Sequence, residues 1–381
     1  MFYEYNLSIL ENDNINILYS YYKSLIKKYS NKNDLQFKKN PLISLIIPLY
    51  NNKQQYILRS LISIEAQTFK NIEIIYIDDY SQNDSISLLE ILKLIDKRIV
   101  LIKNKENRGI LYSKSLGVQI SRGNYVIILD QDDILLSKNL LSIIYEKLEK
   151  YNLDILQYKR INLNEANEII NFKPEKKYPE YNSIIIQPEL GQTINYLNNS
   201  LAFTFTLWDK IIRKTVYLKA LNFIGEELYN SKIIQREDHI ILFALYKEAK
   251  RYMRINIDGY LYIKHKNQIT NKINEQKSSL VYDEFTFLYF LYNNTNEIEE
   301  EKRIFFREFL IILKNLKVCI KVNTKIIKLL VYKVCNCALN SPFISKYEKK
   351  IIIFCSEFKK LNSDIYINYK YNFFSLKKLL F

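Results

Sequence analysis

Tyr125-Val126-Ile127-Ile128-Leu129-Asp130-Gln131-Asp132-Asp133 runs from five apolar residues straight into three acids. A continuous apolar run without alternation is the pattern of a strand buried on both faces. The acids that end it need their own explanation. Clustered carboxylates repel one another and are tolerated where something positive neutralises them. Hard divalent cations take oxygen ligands, and Mg²⁺ commonly binds through one or two carboxylates plus substrate phosphates. Capping of a helix near Ser137 by Asp132 or Asp133 explains the acids equally well. On this stretch alone the two readings stand side by side.

Working outward, three more short apolar runs precede it: Leu42–Ile47, ended by Pro48; Ile72–Ile77, ended by Asp78-Asp79; and Ile99–Ile102. Between them Tyr56–Ile64, Ser85–Leu94 and Ile110–Ile120 carry helical periodicity. Strands that alternate with helices in this way predict a parallel sheet covered on both faces. In such sheets the ligand crevice lies outside the carboxyl ends of the strands. Those ends carry Pro48-Leu49-Tyr50-Asn51, Asp78-Asp79, Asn104 to Asn107, and Asp130 to Asp133. Four successive strand ends thus offer polar groups to one rim, which points to a single anion-and-metal site. Asp84 is expected to cap the helix that follows it. Gly109, Gly117 and Gly123 use half of the chain's six glycines and mark backbone constraints: a turn, a close helix approach and a second turn.

The 381 residues allow a large domain plus a smaller one. With 48% hydrophobic residues the chain is not of the disordered class. The net charge of +15 suits nucleic acid, an anionic membrane surface or anionic substrates. The basic residues are spread along the chain without a nucleic-acid module, so nucleic acid is not an expected partner. The N-terminus lacks a basic stretch followed by an apolar one, so no signal peptide is expected and a cytoplasmic location is. Cys319, Cys335, Cys337 and Cys355 do not have zinc-site spacing and read as reduced core thiols.

Residues 1–40 form a lead-in in which Ile15, Leu18, Tyr22, Leu25 and Ile26 recur at helical spacing. Pro174, Pro179 and Pro188 mark a loop. From Glu284 onward the pattern is helical and Lys-rich. The expected division is 1–40, a catalytic domain over 41–275, and a helical basic region over 276–381.

The order of these pieces from Ile43 to Leu140 resembles the family 2 glycosyltransferases and their GT-A fold, a Rossmann-like, mostly parallel sheet flanked by helices. The matching pieces are Pro48-Leu49-Tyr50-Asn51, Ser63 to Phe69, Glu73 to Ser81, Asn107-x-Gly109 through Gly117 and Gly123, and Tyr125 to Asp133. Together they cover about a quarter of the chain. The resemblance implies donor-binding roles for Pro48, Tyr50 and Asn51 beside the nucleotide, with Tyr50 stacking on the base. Asp79 looks like the family's base-contacting acid. Lys114 sits where the family usually has an Arg facing the nucleotide. Asp130 and Asp132 look like the two acids of its Asp-x-Asp motif, Asp130 toward ribose or metal-bound water and Asp132 on a bound Mn²⁺ or Mg²⁺.

Downstream, Arg236-Glu237-Asp238-His239 precedes the apolar helix Ile240–Tyr246. The family's Glu-Asp pair sits here, and its Asp is the usual general base of inverting members, which implies that role for Asp238 with Glu237 beside it. The bland reading is a helix N-terminus decorated with acids. Leu207-Trp208-Asp209-Lys210 is similar to a Trp-Asn-Lys element of many members, with Asp209 in place of Asn. That implies an acceptor or diphosphate side for Trp208 and Lys210, although Trp208 reads equally as core. His265 lies where a third metal or diphosphate contact is often found. The implied reaction moves a sugar from a nucleotide-diphosphate donor to a saccharide, lipid or protein hydroxyl, with inversion.

Two other classes compete. A nucleotidyltransferase would favour a Gly-rich loop after the first strand, and Tyr50-Asn51-Asn52-Lys53 has no Gly. A non-catalytic scaffold of the same fold has no need of Asp130, Asp132 and Asp238. The C-terminal segment Asn372–Phe381 is expected to pack on the catalytic domain, with peripheral contact at a membrane surface as the competing reading.

Overall fold

The computed structural model describes residues 14–30, 36, 39–163, 184–186, 204, 206–233, 235–263 and isolated positions between 283 and 294. The chain divides into two compact units. The first comprises residues 1–191, 201–232 and 241–266, and the second residues 192–200, 233–240 and 267–381.

The first unit opens with helix α1 (Ile15–Ser30), which buries Leu18, Tyr22 and Ile26, one face of the 3.6-residue repeat. Then follow β1 (Ile43–Leu49), α2 (Gln54–Glu65), β2 (Ile72–Asp78), α3 (Ser85–Ile95), β3 (Ile99–Lys103), α4 (Ile110–Ile120) and β4 (Tyr125–Ile128). The apolar runs of the sequence became these strands, and all seven residues of β1 and of β2 are buried. After β4 come β5 (Ile134–Leu135), α5 (Leu140–Tyr151), β6 (Ile155–Leu163), β7 (Ile184–Ile186), β8 (Lys210–Arg213), α6 (Lys214–Ile224), α7 (Glu226–Tyr229), α8 (Glu237–Glu248) and β9 (Arg251–Ile263). The first four residues of α8 belong to the second unit.

Among the described residues, nine strands form one sheet in the order β3-β2-β1-β4-β8-β6-β9-β5, with β7 also pairing β9. The half expected to be parallel is parallel: β3-β2-β1-β4. The other half is mixed. β8 runs antiparallel to β4 and β6, β6 pairs β9 in parallel, and β5 and β7 lie antiparallel along β9. Parallel pairing thus runs through β3-β2-β1-β4 and recurs between β6 and β9, with antiparallel strands joining and flanking the two parts.

Pro48 was expected to end the first strand, yet it lies inside β1, opposite Ile77. The pairing explains why it is tolerated. Ile46 turns its backbone toward β4, since its carbonyl accepts from Leu129 N at 3.0 Å. Pro48, two residues on, faces the same way, but β4 stays in register only to Ile128, opposite Ile46. The next donor of that ladder would be Pro48 N toward Leu129 O, which proline lacks, so pairing with β4 ends there while β1 continues beside β2 to Leu49.

Gly117 fixes how closely α4 lies on β1: a Cβ there would stand 2.3 Å from Ile46 Cγ2. Beneath the sheet, Arg98 is enclosed between Asp96 and Glu65, bonding Asp96 at 3.0 and 2.8 Å and touching Glu65 as well. One cation cannot neutralise two enclosed carboxylates, and burial pushes the Glu65 carboxyl up to about 7 despite the Arg98 charge.

Candidate active site

The carboxyl ends of β1, β2 and β3 stay in ladder to their last residues: Asp79 N donates to Leu49 O at 2.8 Å and Asn104 N to Asp78 O at 2.8 Å. The loops that leave β1 and β2 are then laced together. Asn51 N donates to Ser81 Oγ (2.9 Å), and Gln82 N donates back to Asn51 Oδ1 (2.8 Å). Asn83 Nδ2 donates to Asn52 O (2.7 Å) and Gln54 Nε2 to Asp84 O (2.8 Å). Asn51, expected at the donor, spends its backbone N–H and its side-chain oxygen on this lacing. Asn51 and Tyr80 adopt left-handed backbone, with φ of 51° and 69°. Asn does so readily, but a tyrosine there is strained, and such residues concentrate at functional sites. Tyr50 and Tyr80 leave 47% and 48% of their surfaces exposed on these loops, the aromatic surface expected of a base platform.

Asp79 is 4% exposed and holds the next loop. Its Oδ1 accepts from Arg108 N (2.7 Å) and Asn104 Nδ2 (2.9 Å), and its Oδ2 from Gly109 N (2.8 Å). Gly109 is the residue before α4, with φ of 91°, so a carboxylate from β2 sits on the positive end of that helix. A carboxylate has about four acceptor positions, and three are used here. Lys114, one turn into α4, is 2% exposed. Asp84 does not cap α3 as expected; Asn83 Oδ1 accepts from Ser85 N instead, at 3.3 Å.

The three acids after β4 separate into two kinds. Asp130 and Asp132 are half-buried, whereas Asp133 is fully enclosed. Asp133 Oδ2 accepts from the Tyr260 hydroxyl at 2.7 Å and Oδ1 from Ile263 N at 3.1 Å. Burial, and then the charges of Asp132 and Asp130, hold its carboxyl well above the usual carboxylate range. The Asp133 side chain therefore faces β9 rather than capping a helix near Ser137. Asp130 and Asp132 together are a fair donor set for a hard cation that completes its shell with phosphate and water. Among the described residues, no three acids, histidines or cysteines converge to hold a metal by themselves. The pair would supply part of a coordination shell.

Trp208 is 7% exposed and lies within an aromatic stack. Tyr260 stands 4.5 Å from it at 21° and Tyr262 5.6 Å at 8°, and the Arg160 guanidinium lies 4.9 Å from its ring. That burial favours the core reading of this residue over the acceptor platform. Lys210 departs further from expectation. It is fully buried, and its ammonium donates to Asp209 Oδ1 (2.7 Å), Thr204 Oγ1 (2.6 Å), Thr206 O (2.6 Å) and Thr204 O (3.1 Å). With three protons engaged by four acceptors of its own chain, it is a structural cation and not a diphosphate contact. Asp209, standing where Asn is usual, supplies its counter-charge.

In the second unit, Glu237 and Asp238 occupy the first turn of α8, half-buried, where the helix dipole favours acids. Gln235 N donates to Asp283 Oδ2 at 2.9 Å, and Arg236 has φ of 66°. Arg236 lies 3.0 Å from His239 Nε2. An arginine can only donate, so that nitrogen accepts and the ring proton sits on Nδ1. Burial and the Arg236 charge push His239 down to about 3, so it stays neutral at ordinary pH. His265, the loop prolines, the four cysteines and the C-terminal segment lie outside the described residues.

Sequence reasoning missed Tyr260, Tyr262 and Arg160. They lie on β6 and β9, far in the chain from the acids, and nothing in the sequence aligns β9 with the turn after β4.

Residues 44–212 match the family profile described as Glycosyl transferase family 2. The chain carries a family 2 glycosyltransferase domain. Glycosyltransferase GlyG of Streptococcus pneumoniae is 25% identical over 229 residues, 60% of this chain and 72% of that protein. UDP-Glc:alpha-D-GlcNAc-diphosphoundecaprenol beta-1,3-glucosyltransferase WfaP of Escherichia coli is 39% identical over 92 residues, 24% of this chain and 36% of that one. Two further curated relatives are matched over only 62% and 63% of their lengths. Residues 1–349 of S. aureus TarS, solved with UDP, superpose with a TM-score of 0.60 at 16% identity, over 83% of this chain and 87% of that one. The fold of the family 2 domain is thereby the GT-A fold.

Proposed function

We propose that this chain transfers a sugar from a nucleotide-diphosphate sugar to an acceptor hydroxyl, with inversion and with Mn²⁺ or Mg²⁺ bound at Asp130 and Asp132. The observation that carries the reading is the division of labour after β4. Asp133 is enclosed and tied to β9, which leaves Asp130 and Asp132 half-exposed at the sheet's carboxyl rim. The laced loops after β1 and β2 support it, since they hold an exposed Tyr50 on the same rim.

In this reading Tyr50 stacks on the base, and the remaining acceptor position of Asp79 faces the nucleotide. Lys114 adds positive charge on the donor side. A divalent cation, when bound, would neutralise charge that develops on the departing diphosphate. Asp238 receives the proton of the acceptor hydroxyl, a role assigned by its place in the order of family motifs. Uridine nucleotides are the first donors to test, because the TarS structure holds UDP and the E. coli relative is named for UDP-glucose. That relative's named acceptor is a sugar diphospholipid, and a saccharide, lipid or protein hydroxyl is proposed here. Peripheral membrane contact from the cytoplasmic side belongs to the same proposal and rests on the +15 charge. Among the described residues, no helix is long and apolar enough to cross a membrane. Liposomes that fail to sediment the full chain would end that part.

A thermal-shift panel of nucleotide sugars with and without Mn²⁺ or Mg²⁺ tests the core of the reading. A donor at 100 times its Kd stabilises the folded chain by about 2.7 kcal/mol, and the shift should require metal. Asp132→Ala should lower turnover roughly 10²–10³-fold, the usual loss when a group stabilising transition-state charge is removed. Wild-type turnover by that variant would refute the metal site.

A further inference from the structure

The turn Asp130–Asp133 is gripped by one strand. β5 pairs with β9 through Ile134 opposite Leu261 and Leu135 opposite Tyr260, and Leu136 N donates to Gly259 O at 3.0 Å. These backbone contacts fix the chain after the turn. The Tyr260 side chain of β9 reaches the turn itself. The Tyr260 hydroxyl accepts from Asp130 N at 3.3 Å and donates to Asp133 Oδ2 at 2.7 Å. One oxygen thus bridges the first and last acids of the motif, from the buried side. The ring of the same residue is fully buried against Trp208, 4.5 Å away, and that stack continues to Tyr262 and Arg160.

We propose that Tyr260 is a positioning residue for the Asp130–Asp132 pair: its hydroxyl sets the backbone of the turn that presents both carboxylates, and its ring ties that turn to the Trp208 stack. The inference rests on the donor reading above. It extends that reading by assigning the geometry of the donor end to a residue 130 positions downstream. Without the hydroxyl, Asp133 loses one acceptor bond in an enclosed place, and Asp130 N loses its tether. The turn then samples arrangements other than the one that presents the two half-exposed carboxylates.

Tyr260→Phe tests this, because it keeps the ring on Trp208 and removes only the bridging oxygen. Tyr158→Phe is the control. It also removes a buried hydroxyl from this core, one that donates to Trp208 O at 2.7 Å and, among the described residues, not to the turn. Calorimetric titration would use the tightest-binding of UDP, GDP, CDP and dTDP, each with Mn²⁺. Amide hydrogen exchange across residues 129–136 would be followed without nucleotide or metal. The expected result is a nucleotide Kd in Y260F raised about three- to tenfold, the net worth of one hydrogen bond, with faster exchange confined to the turn. Y158F should melt earlier yet bind as the wild type does. Wild-type affinity and exchange in Y260F, or equal weakening in Y158F, would overturn the proposal. Failure of the wild type to bind any of the four nucleotides would overturn the donor reading beneath it. Should Y260F melt too early for calorimetry, exchange at low temperature still decides: protection lost evenly across the first unit, and not at the turn, would overturn the proposal.

Discussion

Replace Lys210 by Met, which keeps the length and most of the volume of the side chain but removes the ammonium. Among the described residues, the Asp209 carboxylate, 1% exposed, then keeps Thr204 Oγ1 (2.5 Å) and Gln157 Nε2 (3.3 Å) as partners. The carbonyls of Thr204 and Thr206 lose their shared donor. Breaking one side of a buried ion pair costs about 3–5 kcal/mol, because the surviving charge stays in a place where water cannot reach it. For a unit the size of the first one, each kcal/mol lowers Tm by about 2–4 °C, so K210M should melt roughly 6–20 °C below the wild type. Adding Asp209→Asn removes the stranded charge, and the double variant should recover a substantial part of the loss, a non-additivity expected of contacting residues. Scanning calorimetry on the four proteins measures the cycle, and nucleotide titration is run well below each Tm. If K210M melts within 2 °C of the wild type and binds donor at least tenfold more weakly, Lys210 is a ligand contact and the argument from burial is wrong.

Two further outcomes follow from the packing and the enclosed charges. Gly117→Ala forces a methyl against Ile46 Cγ2, an overpacking worth about 1–3 kcal/mol; urea unfolding with an unchanged m-value and wild-type stability would contradict the close approach of α4 to β1. Glu65, pushed up to about 7 by burial, binds a proton in the folded state between pH 4.5 and 7 that the unfolded chain releases. The stability it contributes is therefore present below pH 4.5 and is lost as pH rises through 7, with a difference of about 3 kcal/mol at most. Glu65→Gln should remove that slope from urea titrations between pH 5 and 8, and an identical slope in both proteins would refute the assignment.

Much of the parallel half of the sheet and its carboxyl rim was legible because its signals are local. Strands β1 to β4 announce themselves as unbroken apolar runs, and Gly109, Gly117 and Gly123 fall where a turn or a close contact requires them. What escaped was burial of polar groups. Asp130, Asp132 and Asp133 look alike in a sequence, and only the position of β9 separates the enclosed acid from the two half-exposed ones. Lys210 was expected on the acceptor or diphosphate side because Trp208-Asp209-Lys210 resembles the family's Trp-Asn-Lys element, and only Asp209 next to it hinted at an internal counter-charge. Pro48 looked like a strand end because nothing near it shows that β2 stays paired alongside to Asp78. Asp79 was expected to contact the base, and its place as the anchor of α4 was not legible, since its partners at Asn104, Arg108 and Gly109 come from the next strand–helix unit.

The lacing between the loops after β1 and β2 bears on how such a protein is altered, by selection or by design. Asn51, Asn52 and Gln54 on one side and Ser81, Gln82, Asn83 and Asp84 on the other hold one another through four crossed hydrogen bonds. A segment grafted into either loop alone would strand its partner's donors and acceptors on an exposed rim. Residues 50–54 and 80–84 therefore form one exchangeable cassette, and libraries aimed at this rim should vary the two together.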